Sequence, residues 1–308
     1  MSAEWLRAWP GLRLQEPMSR HTQYGIGGPA DFFLRVDDIA VLPELVAGAR
    51  ASGMPLTVLG AGSNALVLDG RLRGLAVRVA DRRTRVGDGE VLLAAGAMMP
   101  RVALDLARQG LAGMEWGIGV PGTCGASVWG NAGAFGGEVA RSMICCEVVG
   151  PDGARRWIDA AACGFGYRDS RFKTDLEDHV VLNARFTVSR DDVAAVRART
   201  TAVQEARKRT QPYGVRSLGS TFKNPGGDFA GRLVEAAGLG GRVHGGAQIS
   251  VKHANFILNV DHATAADVLA LVGLAREEVA ARFGVVLERE IAVVGEAAAV
   301  VAGARSGR

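Results

Sequence analysis

The 308-residue sequence predicts an α+β protein whose glycine-rich loops approach a ligand. Three observations point there: many short apolar strands, a few helices that do not alternate with them as regular strand–helix–strand units, and 42 glycines gathered in short runs between apolar segments. Glycine in such places serves tight turns and close approach of backbone to a bound molecule.

Residues 1–20 read as a loosely ordered lead-in. A strand over 30–36 precedes a helix over 41–51, whose Leu42, Leu45, Val46 and Ala49 share one face and which stops before Gly53. Leu56–Leu59 is a short strand running into Gly60-Ala61-Gly62-Ser63-Asn64. Strands over 65–68, 75–79 and 91–95 come next, then a helix over 99–109. The stretch 117–137 reads as a second glycine loop, followed by strands over 144–149 and 180–188. A long helix over 191–209, with Asp191 as its cap, leads to a helix near 229–237, a strand over 255–259, a helix over Ala265–Phe283 and a last strand over 290–294.

The chain is 48% hydrophobic and 22% charged, an ordinary globular balance with enough length for two or three domains. Its net charge of +4 is dispersed: acidic and basic residues interleave, and aromatics are only 6% and scattered, which disfavours a nucleic-acid module. The densest cluster, Arg207-Lys208-Arg209, closes a predicted helix, where cations suit the helix dipole, and leaves either a phosphorylated small molecule or a solvated face. Cys124, Cys145, Cys146 and Cys163 show no CxxC spacing, and neighbours on a strand face opposite ways, so neither a disulfide framework nor a metal site is expected. Glu4, Arg7 and Arg13 break up any signal-peptide core, and no apolar run approaches the roughly 18 residues of a membrane span. The expectation is a reduced, cytoplasmic protein with no membrane insertion.

Gly60 to Ala65 fits the dinucleotide pattern G-x-G-x-x-A after a strand, with Asp81 at a tempting distance. That pattern needs a helix next, whereas Leu66-Val67-Leu68-Asp69-Gly70 is a strand or turn, so a Rossmann reading fails. The loop can still wrap a pyrophosphate with successive backbone N–H groups, Ser63 and Asn64 adding donors, or be an ordinary turn. The run Gly117 to Ser127 is richer in small residues, which let backbone lie against a flat ligand. Together the loops favour one extended cofactor.

The motifs His21-Thr22-Gln23-Tyr24-Gly25-Ile26-Gly27-Gly28-Pro29, Gly60–Asn64, Val120-Pro121-Gly122-Thr123 through Gly136, Tyr167-Arg168-Asp169-Ser170, Gly219-Ser220-Thr221-Phe222-Lys223-Asn224-Pro225, Lys252-His253-Ala254-Asn255-Phe256 and Leu287-Glu288-Arg289-Glu290 occur in an order that resembles the UDP-N-acetylenolpyruvoylglucosamine reductase (MurB) family, over about residues 20–295. Gly245-Gly246-Ala247-Gln248 and the Lys-His-Ala-Asn-Phe run look like its shorter type II form. The resemblance implies a vanillyl-alcohol-oxidase-type FAD-binding fold of two α+β subdomains over 21–190, split near 80–97. It implies a connecting helix and linker over 191–215 and a substrate-binding α+β domain over 216–300, whose last strand, 287–295, returns to the active site. A tail over 301–308 remains. It further implies FAD held non-covalently, NADPH as co-substrate, a UDP-sugar substrate of peptidoglycan synthesis, and a monomer.

Residue by residue, the resemblance implies cofactor contacts from Leu59, Gly60, Ala61, Gly62, Ser63, Asn64, Ala65, Val120, Pro121, Gly122, Gly125, Ala126, Ser127, Trp129, Ala132 and Val181. It gives Arg168 the substrate carboxylate, Ser220 the protonation of the α-carbon, and Glu290 the support of the enol intermediate. Read alone, Arg168 is a structural ion-pair partner of Asp169 or Asp175, and Ser220 a turn or capping hydroxyl. Glu288 and Glu290 share a side of a regular strand, so periodicity does not choose between them. Tyr167, Lys223, Asn224 and His253 are the implied substrate contacts, with a structural role for His253 standing equally beside that. Thr210-Gln211-Pro212 stands where the family often has Lys-Gln-Pro, and Trp129-Gly130 where an aromatic–Met pair is usual.

Overall fold

In the computed structural model, which describes residues 4–298, Leu72–Val79 lies inside a four-stranded sheet ordered Arg13–Pro17, Pro29–Val36, Leu72–Val79, Leu56–Leu59. Both neighbours of Leu72–Val79 run parallel to it, and its central run Leu75-Ala76-Val77 is buried on both faces, while Arg73 near its start is exposed. Parallel strands need a crossover, and helix Leu42–Ala51 supplies it, burying Leu42, Leu45, Val46 and Ala49. Residues 4–20 are not loose, contrary to the sequence reading. Arg13–Pro17 pairs antiparallel with Pro29–Val36, and Leu6 is fully buried in the same core. Its residues 13–15 are exposed because it is an edge strand, and a polar edge strand resembles a loop in sequence.

A second sheet is antiparallel throughout, ordered Arg155–Asp159, Met143–Val149, Val180–Thr187, Glu90–Ala94, Thr84–Val86. Its inner face packs Val91, Leu93, Val148 and Phe186 against Val102 and Leu106 of helix Met99–Arg108. The stretch expected to be a loop contains structure: a 3-10 turn Glu115–Gly119, a short helix Cys124–Gly130 and a small hairpin, Gly133–Ala134 with Gly137–Glu138. Asn131 ends that helix in the left-handed region, and its side-chain amide bonds to Gly166 O and Ala140 N hold the turn in place of a glycine.

Helix Val193–Thr210 is capped by Asp192, not Asp191: the Asp192 carboxylate accepts from Ala195 N at 2.8 Å, while Asp191 pairs with Arg199. Beyond it, strands Arg216–Ser217, Ile257–Asn259, Ala247–Ile249 and Val243–His244 form a third, antiparallel sheet. Helix Ala265–Phe283 covers it, started by a Thr264–Asp267 capping box and stopped by left-handed Gly284. The chain then returns, and Ala292–Val294 pairs parallel with Ala65–Val67, the strand after the first glycine loop.

One short segment joins the glycine loops to the third sheet. Gln23 N donates to Gly62 O and Gln23 Nε2 to Pro121 O, joining both loops. Buried Tyr24 donates its hydroxyl to Ile257 O, and its backbone carbonyl accepts from Asn259 Nδ2. No described helix is long and apolar enough to cross a membrane. Residues 1–3 and 299–308, which include the tail expected over 301–308, lie outside the described residues.

Candidate active site

Strand Leu56–Leu59 delivers the first glycine loop to the edge of a cavity of about 710 Å³, and the 120–132 stretch forms the facing wall. Every residue expected to touch the cofactor lines this cavity except Ala61. The loops are packed too tightly for larger residues: a Cβ on Gly60 would come within 2.0 Å of Thr123 Oγ1, and one on Gly62, at φ +62°, within 2.4 Å of His21 O. As expected, a strand and not a helix follows the first loop, and Asp81 is occupied elsewhere, accepting from Ile39 N and Arg83 N.

The Thr123 hydroxyl is buried, lines the cavity, and has no hydrogen-bond partner among the described residues. A buried orphan hydroxyl is costly unless a ligand satisfies it. The first amides of helix Cys124–Gly130 offer no alternative, because Cys124 N and Gly125 N donate to Ala97 O and Ala95 O. The hydroxyl, the tight first loop and the flat wall of Gly122, Gly125 and Ala126 fit a dinucleotide with a pyrophosphate and a planar ring. Gly60→Ala is expected to push Thr123 aside and weaken FAD binding by about tenfold or more, measured as flavin released on ultrafiltration. Full flavin retention by the variant would contradict the assignment of this loop.

At the far end of the cavity, three distant segments converge on Arg168, Ser220 and Glu290. Arg168 Nε lies 2.9 Å from Glu290 Oε1, and its Nη2 donates to Gly133 O at 2.7 Å. Asp169 and Asp175, the partners that sequence alone suggested, are engaged by Lys173 and Arg171. Gly219, at φ +78°, turns the chain to present Ser220. Thr221 ties the remaining pieces together: its N–H donates to Asn255 O, and its carbonyl accepts from Glu290 N. Asn64 Nδ2 donates to Glu290 O at 3.2 Å, joining the first glycine loop to this corner.

The two glutamates separate cleanly. Glu288 is an exposed partner of Lys223 at 2.6 Å, whereas Glu290 lines the cavity. Residues 288–290 pair antiparallel with 221–223 through an isolated Phe222–Arg289 bridge, with Lys223 N donating to Glu288 O and Glu290 N to Thr221 O. Alternation still does not separate the two glutamates; depth does, because Glu288 is exposed and Glu290 is not. Burial raises the Glu290 carboxyl above the usual carboxylate range, although Arg168, Lys173 and Lys223 pull it down.

Of the expected substrate contacts, Tyr167 is half exposed beside Arg168, whose guanidinium sits 5.4 Å from its ring. Asn224 N donates to the Tyr167 hydroxyl at 3.4 Å, and Asn224 Oδ1 accepts from Ala230 N. His253 packs against Phe256 and Gly231 and accepts from Asn255 N, and burial lowers its pKa. None of these three, nor Lys223, is among the cavity-lining residues.

Sequence reasoning gave no site role to Thr123 or Lys173, both of which line the cavity, as does Arg207 of the basic cluster read as facing either a phosphorylated small molecule or solvent. Arg207 is partly buried at the end of the connecting helix, where desolvation lowers its pKa and its Nε donates to Gln211 Oε1. Cys124 is fully buried, and burial pushes its thiol up to about 12, so it offers no thiolate at neutral pH.

Fold and cavity together define an FAD-binding oxidoreductase. A model of an FAD binding domain matches residues 30–159, and one of the UDP-N-acetylenolpyruvoylglucosamine reductase C-terminal domain matches 211–294. Two relatives called UDP-N-acetylenolpyruvoylglucosamine reductase are 42% identical over 94% of this chain and 97% of theirs (Rubrobacter xylanophilus), and 41% identical over 93% and 95% (Moorella thermoacetica). The crystal structure of UDP-N-acetylenolpyruvylglucosamine reductase from Thermus caldophilus superposes with a TM-score of 0.79 at 34% identity, covering 92% of this chain and 100% of that one. The chain belongs to the UDP-N-acetylenolpyruvoylglucosamine reductase family.

Proposed function

We propose that the chain reduces UDP-N-acetyl-3-O-(1-carboxyvinyl)-glucosamine to UDP-N-acetylmuramate in peptidoglycan synthesis, with FAD as its cofactor and NADPH as co-substrate. The observation that carries this reading is the Arg168–Glu290 pair sharing a cavity with Ser220 and with both glycine loops. The 59–65 loop, Thr123 and the 120–132 wall would hold FAD non-covalently, and the bound flavin would supply the hydride chemistry that links NADPH to the terminal carbon of the enolpyruvyl group.

Negative charge then grows on the neighbouring carbon and its carboxylate. Arg168 holds that carboxylate: Glu290 and Gly133 occupy part of its guanidinium fork, and the donors that remain suit a planar anion. Glu290 fixes the guanidinium through Oε1, and burial raises its carboxyl above the usual carboxylate range while Arg168, Lys173 and Lys223 pull it down. Ser220 Oγ gives its proton to the α-carbon. A serine is a weak acid, but transfer to a carbanion-like centre is downhill. Tyr167, Lys223 and Asn224, beside the cavity, would bind the sugar or phosphates. His253, whose ring is packed into the protein, would reach substrate only if that packing opened.

UDP-sugar and NADPH as reactants suit a cytoplasmic enzyme, and the dispersed charge favours small-molecule partners over nucleic acid. A monomer without membrane insertion completes the proposal. In an anaerobic titration, NADPH is expected to bleach the flavin and the enolpyruvyl UDP-sugar to restore its colour. Reduced flavin that stays bleached with the sugar but recolours in air would favour an oxidase of the same fold instead. A covalently tethered flavin would support that rival, but buried Cys124 gives it no reactive thiolate.

A further inference from the structure

Lys173 lines the cavity yet has no part in the scheme above. It belongs to the 3-10 turn Arg171–Lys173, which follows the tight turn carrying Arg168. In that tight turn Gly166 and Asp169 exchange backbone hydrogen bonds, at 3.0 and 3.2 Å. Arg168 lies between them at φ +54°, a conformation that side chains other than glycine rarely adopt. Lys173 Nζ donates to the Arg168 backbone carbonyl, while its charge lies 4.7 Å from the centroid of the Trp129 ring on the cavity wall. One ammonium thus grips the strained backbone of Arg168 and rests on the small-residue wall at the same time.

We infer that Lys173 is a positioning residue: it holds Arg168 in the left-handed backbone conformation that aims the guanidinium at Glu290 and at the substrate carboxylate. The inference rests on the roles proposed above for Arg168 and Glu290. A long flexible side chain contributes to such a clamp only if something restrains it. Here the half-buried stem, the Trp129 face and the Arg168 carbonyl all do so, and Asp169 Oδ1 stands 3.8 Å away. Burial disfavours the charged form of Lys173, as does Lys223, while Asp169, Glu290 and Glu288 favour it. Reciprocally, Lys173, Arg168 and Lys223 are the cations that face the Glu290 carboxyl. Removing the Lys173 charge would therefore push Glu290 further up.

The test compares Lys173→Met, Lys173→Arg and Glu290→Gln. Each FAD-loaded enzyme is reduced with dithionite and reoxidised by the enolpyruvyl UDP-sugar across roughly pH 5–9, a range that begins above the ordinary carboxylate pKa. Lys173→Met is expected to slow reoxidation by about 10²-fold, as a misaimed catalytic group does. It should also move the Glu290-dependent limb of the pH profile upward, because a cation beside a carboxyl has been lost. Lys173→Arg should recover the rate to within about fivefold, because it keeps charge and donor. In FAD-free protein, amide hydrogen exchange over residues 166–172 should rise in Lys173→Met and return in Lys173→Arg. A slow Glu290→Gln beside a Lys173→Met enzyme with unchanged rate, profile and exchange would overturn the inference and leave the catalytic reading intact. If Glu290→Gln keeps full rate, the catalytic reading fails first and the inference falls with it.

Discussion

Ser220→Ala is expected to leave flavin reduction by NADPH intact and to slow flavin reoxidation by the UDP-sugar by about 10²–10⁴-fold, the range for losing a positioned general acid. The separation follows from where the hydroxyl acts: it has no role until a carbon needs a proton. The substitution should not disturb the fold, because the segment is held by backbone, through Thr221 N to Asn255 O and Glu290 N to Thr221 O. Gly219 already supplies the unusual φ of the turn. Stopped-flow traces of the two half-reactions decide the matter. Equal losses in both would mean that Ser220 shapes the cavity and is not the acid.

Arg168→Lys should be nearly as damaging, lowering the reoxidation rate by about 10²–10³-fold, comparable to removing one donor to a developing oxyanion. Lysine keeps the charge but not the fork. It cannot reach Glu290 and Gly133 O together and still face a carboxylate in one plane. The same change leaves Glu290 buried beside a less fixed cation, so its carboxyl should climb further and any pH limb it governs should shift upward. Because reduction by NADPH does not need the carboxylate clamp, that half-reaction should survive. An Arg168→Lys enzyme that reoxidises within about threefold of the parent would show that charge alone suffices.

The glycine loops and the strong amphipathic elements are legible in the sequence. Helix Ala265–Phe283 can be read to its ends because its apolar spacing, Thr264 cap and Gly284 stop all agree. Leu56–Leu59 and its loop are equally plain. The elements that escape are those with weak local signals. Arg155–Asp159 is a largely exposed edge strand, and Cys124–Gly130 is a seven-residue helix with glycine at both its second position and its end. The site itself is legible only through motif order. Nothing local in Arg168 or Glu290 marks them as partners, since their contact depends on the return of the last strand beside Ala65–Val67. Lys173 and Thr123 escape for the opposite reason. Each reads as a routine polar residue, and only three-dimensional packing shows one gripping a strained turn and the other buried without a partner among the described residues.

The stitch made by Gln23 and Tyr24 bears on how the coenzyme gets in. Both glycine loops and the C-terminal sheet are laced to one short segment by the chain's own hydrogen bonds. A nucleotide is therefore expected to meet a slot already assembled by these bonds, with no need for two lobes to part. Loading should then be limited by diffusion through the opening and by ordering of side chains at its rim, and hardly at all by large-scale breathing.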